Sequence, residues 1–335
     1  MRAHAADFYD TLSASADAAA DAADADALLA LGRWLQGKDY TFTTVTPATH
    51  ARVVARNAGK PARDLRGAFG WSLPFRRDLL PAALLGSLLR TQLLERAGDD
   101  LLRSRVRAST LDGLLLFHSS FPTRDADAVF LGPDTYRFAN LIKQVVPQLP
   151  APPRHVVDLG CGTGAGGLVA GRLLGPGTRI RLADLNARAM QFAAVNAALA
   201  EQRVACSTGD LLAPITGPID LVIANPPYLT DAAVRTYRDG GGRLGSALSL
   251  RIVRETLRRL EPGGHLLLYT ASAIVEGRDL LREQIELLLR NTGASFDYVE
   301  IDPDVFGEEL DTPAYAQVER IAVVQLLARR ATGGA

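Results

Sequence analysis

The spacing of apolar and polar residues along this chain changes character near residue 150. Before that point it favours helices. Leu28, Leu29, Leu31 and Trp34 mark an apolar face over 24–35, and Thr46-Pro47 reads as the cap and first residue of a helix carrying Val53 and Val54. Residues 1–18, rich in Ala, Asp and Ser, predict a weak helical start. A short helix is expected near Pro61 and a long one over 78–94, where Leu79, Leu80, Leu84, Leu85, Leu88 and Leu89 give broad burial. Residues 93–107 read as a hairpin turning at Gly98-Asp99, and Leu114 to His118 as a strand with 127–131 as its partner. Gly132-Pro133-Asp134-Thr135 can cap a helix from Tyr136 to Val146, and the proline-rich stretch 147–153 ends it. Beyond lies an alternation of strand and helix signals, from Val156 to about residue 290, which predicts a mostly parallel sheet covered on both faces. Residues 296–301 and 318–327 have no long helix between them, so they should pair antiparallel.

At 335 residues with 47% hydrophobic composition, the chain has material for two ordinary domains. The pattern divides it into an N-terminal winged-helix-like domain over 1–110, a linking hairpin and helix over 111–150, and an α/β domain over 151–330. Cys161 and Cys206 are the two cysteines, too few for a disulfide framework, and no Cys/His cluster has metal-ligand spacing. No membrane span or secretory leader is evident, so the expected location is cytoplasmic. Lys+Arg and Asp+Glu both total 37, which argues against a surface that grips a polyanion everywhere. Locally the balance differs. Residues 60–107 hold ten Lys/Arg against five Asp/Glu, and Arg103, Arg105 and Arg107 on the hairpin's second arm suggest a nucleic-acid contact.

Candidate chemistry gathers between Val156 and Tyr228. Val156 to Leu159 is a short strand entering Gly160-Cys161-Gly162-Thr163-Gly164, a turn whose missing Cβ atoms let backbone N–H groups approach a ligand. By itself such a turn can hold NAD, FAD, another nucleotide or nothing, although no Walker-type Lys-Ser/Thr follows it. A second strand ends at Asp184, where a carboxylate can accept hydrogen bonds from a ribose. A third ends at Asn225-Pro226-Pro227-Tyr228, on the edge of an open α/β sheet where ligands bind.

The glycine turn, Asp184, Asp210 and Asn225-Pro226-Pro227-Tyr228, in that order, resemble class I S-adenosylmethionine-dependent N-methyltransferases over about 155–327. The resemblance implies a Rossmann-like sheet with a terminal antiparallel hairpin and S-adenosylmethionine as cofactor. It implies that Asp158, Gly160, Cys161, Gly162 and Gly164 form the loop near the methionine and ribose. Asp184 with Leu185 would meet the adenosine ribose, and Asp210 with Leu211 the adenine. It also implies that Asn225 and the Pro226 carbonyl hold the target nitrogen, next to Pro227, while Tyr228 packs against a planar substrate, for direct in-line transfer without a covalent enzyme intermediate.

More narrowly, Gly132-Pro133-Asp134-Thr135 and the glycine run 240–245 resemble the protein-glutamine N5-methyltransferases that modify release factors. Tyr136 stands where those enzymes carry an acidic residue, and Gly132 where they carry a basic one. Candidate substrate contacts are Tyr136, Arg137, Arg235, Arg238, Arg243, Glu309 and Tyr315, on the turn and on two rim segments. The expected activity is N-methylation of a planar amide or exocyclic amine, in RNA or another nucleic acid. Protein glutamine, a small-molecule amine and a noncatalytic S-adenosylmethionine-binding module stand as alternatives.

Overall fold

A computed structural model describes residues 16–332 apart from 124, 232–234, 236 and 291. Of the weak helical start expected over 1–18, residues 1–15 therefore lie outside the described residues. Contacts divide the chain into two compact units, Met1–Thr123 with Ala198–Glu201, and Arg124–Ala197 with Gln202–Ala335.

The first unit opens with α1 (Ala16–Gln36) and α2 (Pro47–Arg56). Thr46 caps α2 as its sequence predicts, with Oγ1 accepting the Thr49 N–H at 3.2 Å. After a single π turn at Arg66–Gly70 come β1 (Phe75–Arg76), α3 (Ala82–Arg90), β2 (Leu94–Arg96) and β3 (Leu101–Ser104). The long helix expected over 78–94 is corrected by Pro81. Its ring excludes helix before it, so Arg77–Leu79 forms a 3₁₀ turn and α3 starts after the proline.

The hairpin turning at Gly98-Asp99 is present as β2 and β3, but β1 pairs with the other edge of β3 to give the order β1-β3-β2. The chain then runs directly into β4 (Val106–Leu111) and β5 (Leu114–Ser119), a separate two-stranded pair. The winged-helix expectation is not confirmed by this arrangement. The partner of β5 is β4 and not 127–131, because Asp112 and Gly113 both take positive φ (49° and 74°) and close a tight two-residue turn. Burial of both faces of β4 also removes Arg107 from the expected basic surface. It is 2% exposed, and its guanidinium donates to Ser119 O and His50 Nδ1 at 3.2 Å each.

The second unit begins with α4 (Pro133–Val145) and continues through β6 (His155–Leu159), α5 (Ala165–Leu174), β7 (Arg179–Asp184), α6 (Ala187–Leu199), β8 (Val204–Thr208) and β9 (Leu221–Ala224). It ends with α7 (Ala247–Arg259), β10 (His265–Val275), β11 (Arg278–Asp279), α8 (Leu280–Leu289), β12 (Ser295–Asp302) and β13 (Arg320–Arg329). The strand order is β12-β13-β10-β9-β6-β7-β8, parallel from β8 to β10, with β13 antiparallel to both β10 and β12. This is the Rossmann-like sheet with a terminal antiparallel hairpin that the sequence predicts.

From β6 the chain winds outward through β7 to β8, then crosses back to β9 and β10. The direction of winding reverses between β6 and β9, and in open α/β sheets ligands bind outside the carboxyl ends at such a point. Residues 127–131 form no strand. They are tied to the start of α6, where Asn186 Nδ2 donates to Asp127 O at 2.7 Å and Arg188 pairs with Asp127 at 3.3 Å.

The sheet core holds Val157, Leu159, Val222, Leu268 and Val324 between its strands and covering helices, with Ile252, Leu281 and Ile285 supplied by α7 and α8. Leu268 is fully buried and faces Ala224 on β9 and Leu326 on β13. Leu268→Ala should cost about 2–5 kcal/mol in urea unfolding followed by circular dichroism. Leu287→Ala, at a residue 64% exposed on α8, should stay within about 0.5 kcal/mol in the same assay.

Candidate functional site

Three strand ends reach one level because of register. Leu159 on β6 pairs with Ala183 on β7 and Ala224 on β9, so Gly160, Asp184 and Asn225 leave the sheet side by side. Gly160 and Gly162 have φ of +63° and +53°, a region that L side chains rarely adopt, and a Cβ at either would meet nothing within 4 Å. The loop is therefore shaped by positive φ and borders open space.

Both neighbouring strands hold that loop. Ala183 O accepts the N–H groups of Gly160 and Cys161 at 2.9 and 3.2 Å. Asp184 Oδ2 accepts the Gly162 N–H and Oδ1 the Asn186 N–H, both at 2.9 Å. Burial raises the Asp184 pKa above the ordinary carboxylate value. Each carboxylate oxygen keeps lone-pair capacity for a further donor. Asp158 points the other way: it is 2% exposed and accepts the Gly167 N–H at 2.7 Å, pinning the first turn of α5. Burial raises its pKa to about 7. Gly164 starts α5 with φ +78°, and Cys161 is buried in the loop with its thiol pKa pushed up by burial. Leu185 is 66% exposed directly after Asp184.

Beyond β8, Asp210 is exposed, and Arg251 on α7 donates to its Oδ2 at 2.8 Å. Leu211 beside it has φ +47°. Arg251 carries no signal in sequence, where it reads as one charge of an i,i+4 pair with Glu255.

The turn after β9 differs in kind from these satisfied groups. Asn225 Oδ1 is buried and accepts no hydrogen bond, and among the described residues none donates to the Pro226 carbonyl. Tyr228 is buried, with its ring 5.9 Å from that of Phe306. Its pKa is raised by burial and by Asp134, to which its hydroxyl donates. The same carboxylate accepts from Tyr269 at 2.9 Å and Arg137 at 3.1 Å, and Arg137 also pairs with Asp302 at 3.2 Å. Asp134 thus fastens the Gly-Pro-Asp-Thr turn to the Asn-Pro-Pro-Tyr turn. It and Tyr269 were not among the candidate residues, because a contact across 135 positions leaves no mark in spacing. Tyr136 is half-buried next to it.

The rim is cross-linked internally. Arg235 donates to Asp231 at 2.8 and 2.6 Å and to Tyr237 at 3.2 Å, and these bonds hold the Asp231 carboxyl well below its usual range. Arg238 bonds Glu309, which is buried, and Tyr315 Oη accepts the Thr230 N–H at 2.9 Å. These side chains brace the two rim segments against each other. Arg243 is exposed. Pro227 lies under the glycine run: a Cβ at Gly240 would stand 2.8 Å from Pro227 O and 2.0 Å from Gly245 O, so only glycine allows that approach. Among the described residues no group of three or more His, Cys, Asp or Glu could hold a metal, and no helix is long and apolar enough to cross a membrane.

Residues 139–288 match the family model described as methyltransferase small domain. Over that segment the chain is similar to methyltransferases. Similar proteins include a release factor glutamine methyltransferase of Deinococcus radiodurans, 33% identical over 185 residues, covering 52% of this chain and 66% of that protein. A ribosomal RNA small subunit methyltransferase C of Actinobacillus succinogenes is 35% identical over 130 residues, covering 38% of this chain and 35% of that protein. The crystal structure of a tRNA m1G37 methyltransferase of M. jannaschii is 16% identical at TM-score 0.45, covering 71% of this chain and 59% of that one. The chain thus spans from about a third to just under two thirds of these proteins. The family uses S-adenosylmethionine, and the site fits it, with open space along Gly160 and Gly162, spare acceptor capacity on Asp184 and the exposed face of Leu185.

The buried Asp158 yields a pH signature. With its folded pKa raised to about 7, its contribution to stability is complete below the unfolded value of about 3.9 and is lost as pH rises through 7. Asp158→Asn keeps an oxygen acceptor for Gly167 and does not titrate. The difference in thermal midpoint, variant minus wild type, should therefore grow between pH 5 and pH 8, by at most about 3 kcal/mol of stability. A difference that stays flat across that range would show that the carboxyl is ionised throughout.

Proposed function

We propose that this protein transfers a methyl group from S-adenosylmethionine to a planar nitrogen, the exocyclic amine of a base in RNA. The observation that carries the reading is the buried, unpartnered Asn225 Oδ1 at the carboxyl end of β9. A buried carbonyl oxygen without a donor costs about 1–3 kcal/mol, and an N–H supplied by a substrate recovers it. Asn225 Oδ1 and the Pro226 carbonyl together suit the two N–H bonds of an amine whose lone pair is delocalised into its ring. Holding both bonds orients the nitrogen, and acceptor oxygens stabilise the positive charge that develops on it. Tyr228, clamped by Asp134 and Phe306, offers a fixed aromatic wall for a flat group.

Gly160, Gly162, Asp184 and Leu185 are the residues that would hold the cofactor, with Asp184 and Leu185 toward its ribose. When bound, the cofactor would supply a methyl carbon on a sulfonium, its carbon–sulfur bond exchanged for a carbon–nitrogen bond, and the acceptor nitrogen would give up one N–H proton to solvent. RNA as acceptor is supported by the local excess of basic residues over 60–107 and by a relative named as a ribosomal RNA methyltransferase. A protein glutamine amide is the second reading. It is favoured by the bond from Tyr228 to Asp134 in the Gly-Pro-Asp-Thr turn and by the Deinococcus relative.

Asn225→Ala should keep S-adenosylmethionine binding in calorimetry while methyl transfer falls roughly 100-fold or more. Methyl label should enter the RNA fraction of a cell extract with the wild-type protein. Undiminished transfer by the variant would overturn the role of Asn225, and label confined to protein glutamine would replace the RNA reading with the second one.

A further inference from the structure

Both units hold arginines paired with carboxylates, Arg103 with Glu95 in the N-terminal unit among them. Around the sheet, Arg137, Arg188, Arg238, Arg251, Arg282 and Arg320 are each paired with a carboxylate. In the N-terminal unit, Lys60, Arg63, Arg66 and Arg76 are exposed, and none is paired with a carboxylate among the described residues. They line two adjoining clefts of about 510 and 390 Å³ that share the segment 60–63.

That segment is fixed to the fold. Ala62 forms a parallel bridge with Phe75, and its N–H donates to Pro74 O at 2.6 Å, so Lys60 and Arg63 are carried beside Arg76 on an ordered backbone. The cleft walls carry four cations against two acids, Asp78 and Asp64, the latter accepting the Gly67 N–H at 2.7 Å, so positive charge is in excess. The second cleft is also lined by Trp71, half-buried, with Phe42 edge-on to it at 5.0 Å and His50 tilted against it at 5.1 Å.

We propose that these clefts form a docking groove for a single-stranded segment of RNA. Unpaired cations at intervals along a groove suit successive phosphates, and a fixed indole face at its side suits stacking by an unpaired base. The proposal deepens the RNA reading above and rests on it.

The test measures binding of an unstructured RNA of about 12 nucleotides by fluorescence anisotropy across a salt series, alongside methyl transfer to RNA. The full chain is compared with K60E/R63E/R66E/R76E and with the neutral K60Q/R63Q/R66Q/R76Q, each checked by circular dichroism and S-adenosylmethionine binding. Loss of four phosphate contacts should make the log–log salt slope shallower by about 3 and weaken binding roughly tenfold or more. In a Trp34→Phe background, RNA should quench the remaining Trp71 emission. If the charge-reversed protein fails to fold, the glutamine variant decides the matter. Wild-type affinity, slope and RNA labelling in a folded variant would overturn the groove and leave the RNA reading standing. A wild-type protein that neither binds nor labels RNA would overturn both.

Discussion

The register of β6 between its two parallel neighbours is the constraint on which the site depends. Leu159 faces Ala183 on one side and Ala224 on the other, and three unrelated loops therefore begin at the same height. A slip of one residue in either pairing would turn Asp184 or Asn225 to the opposite face of the sheet. The buried apolar runs of β6, β9 and β10 resist such a slip, because each is almost continuously enclosed. Specificity of register comes from the core, and the polar groups at the edge inherit it. The carboxylate of Asp184 then adds a local lock, joining the end of β7 to the glycine turn after β6 through the Gly162 N–H.

Three polar side chains close to one another illustrate how environment divides labour. Asp158 is inward, satisfied by Gly167 and held near neutrality by burial, so its work is to fix the start of α5. Asp184 is satisfied by two backbone amides and still has acceptor capacity to spare. Asn225 presents an oxygen that none of the described residues uses. Buried polar atoms are nearly always paired in folded proteins, so an unpaired one at a strand end where ligands bind points to a donor brought by another molecule. Thr256 Oγ1, on α7, is also buried without a partner, but it lies inside a helix, where no such edge exists.

Much of this was legible in the chain itself. Short β-branched runs, glycines at the first turn and an Asn-Pro-Pro-Tyr after a strand are local signals, and the strands and loops they predict are where the sequence puts them. Turn chemistry was legible too, but it was read incompletely. Asp112-Gly113 closes β4 onto β5, whereas hydrophobicity alone suggested 127–131 as the partner. Pro81 likewise overrules a leucine-rich stretch whose periodicity spans it. The contacts that the sequence did not reveal are those that join distant segments: Asp134 to Tyr228 and Tyr269, Arg238 to Glu309, Arg251 to Asp210. A charge in a sequence has no partner until the fold supplies one.

That last point bears on how basic residues should be read. Arg235 and Arg238 are candidate substrate contacts by their place on a loop beside the Asn-Pro-Pro-Tyr turn, yet Asp231 and Glu309 neutralise them. Arg107 is a candidate nucleic-acid contact on its hairpin, and it is buried against His50, whose own pKa is lowered to about 4 by burial and by that guanidinium. A guanidinium already held by a carboxylate offers a polyanion little, since binding would exchange one ion pair for another. Cations that gain from meeting phosphate are those left in water without a carboxylate, and ordered backbone beneath them lowers the entropy lost on binding. By that criterion Lys60, Arg63, Arg66 and Arg76, exposed and without a carboxylate partner among the described residues, are among the cations with most to gain from a polyanion.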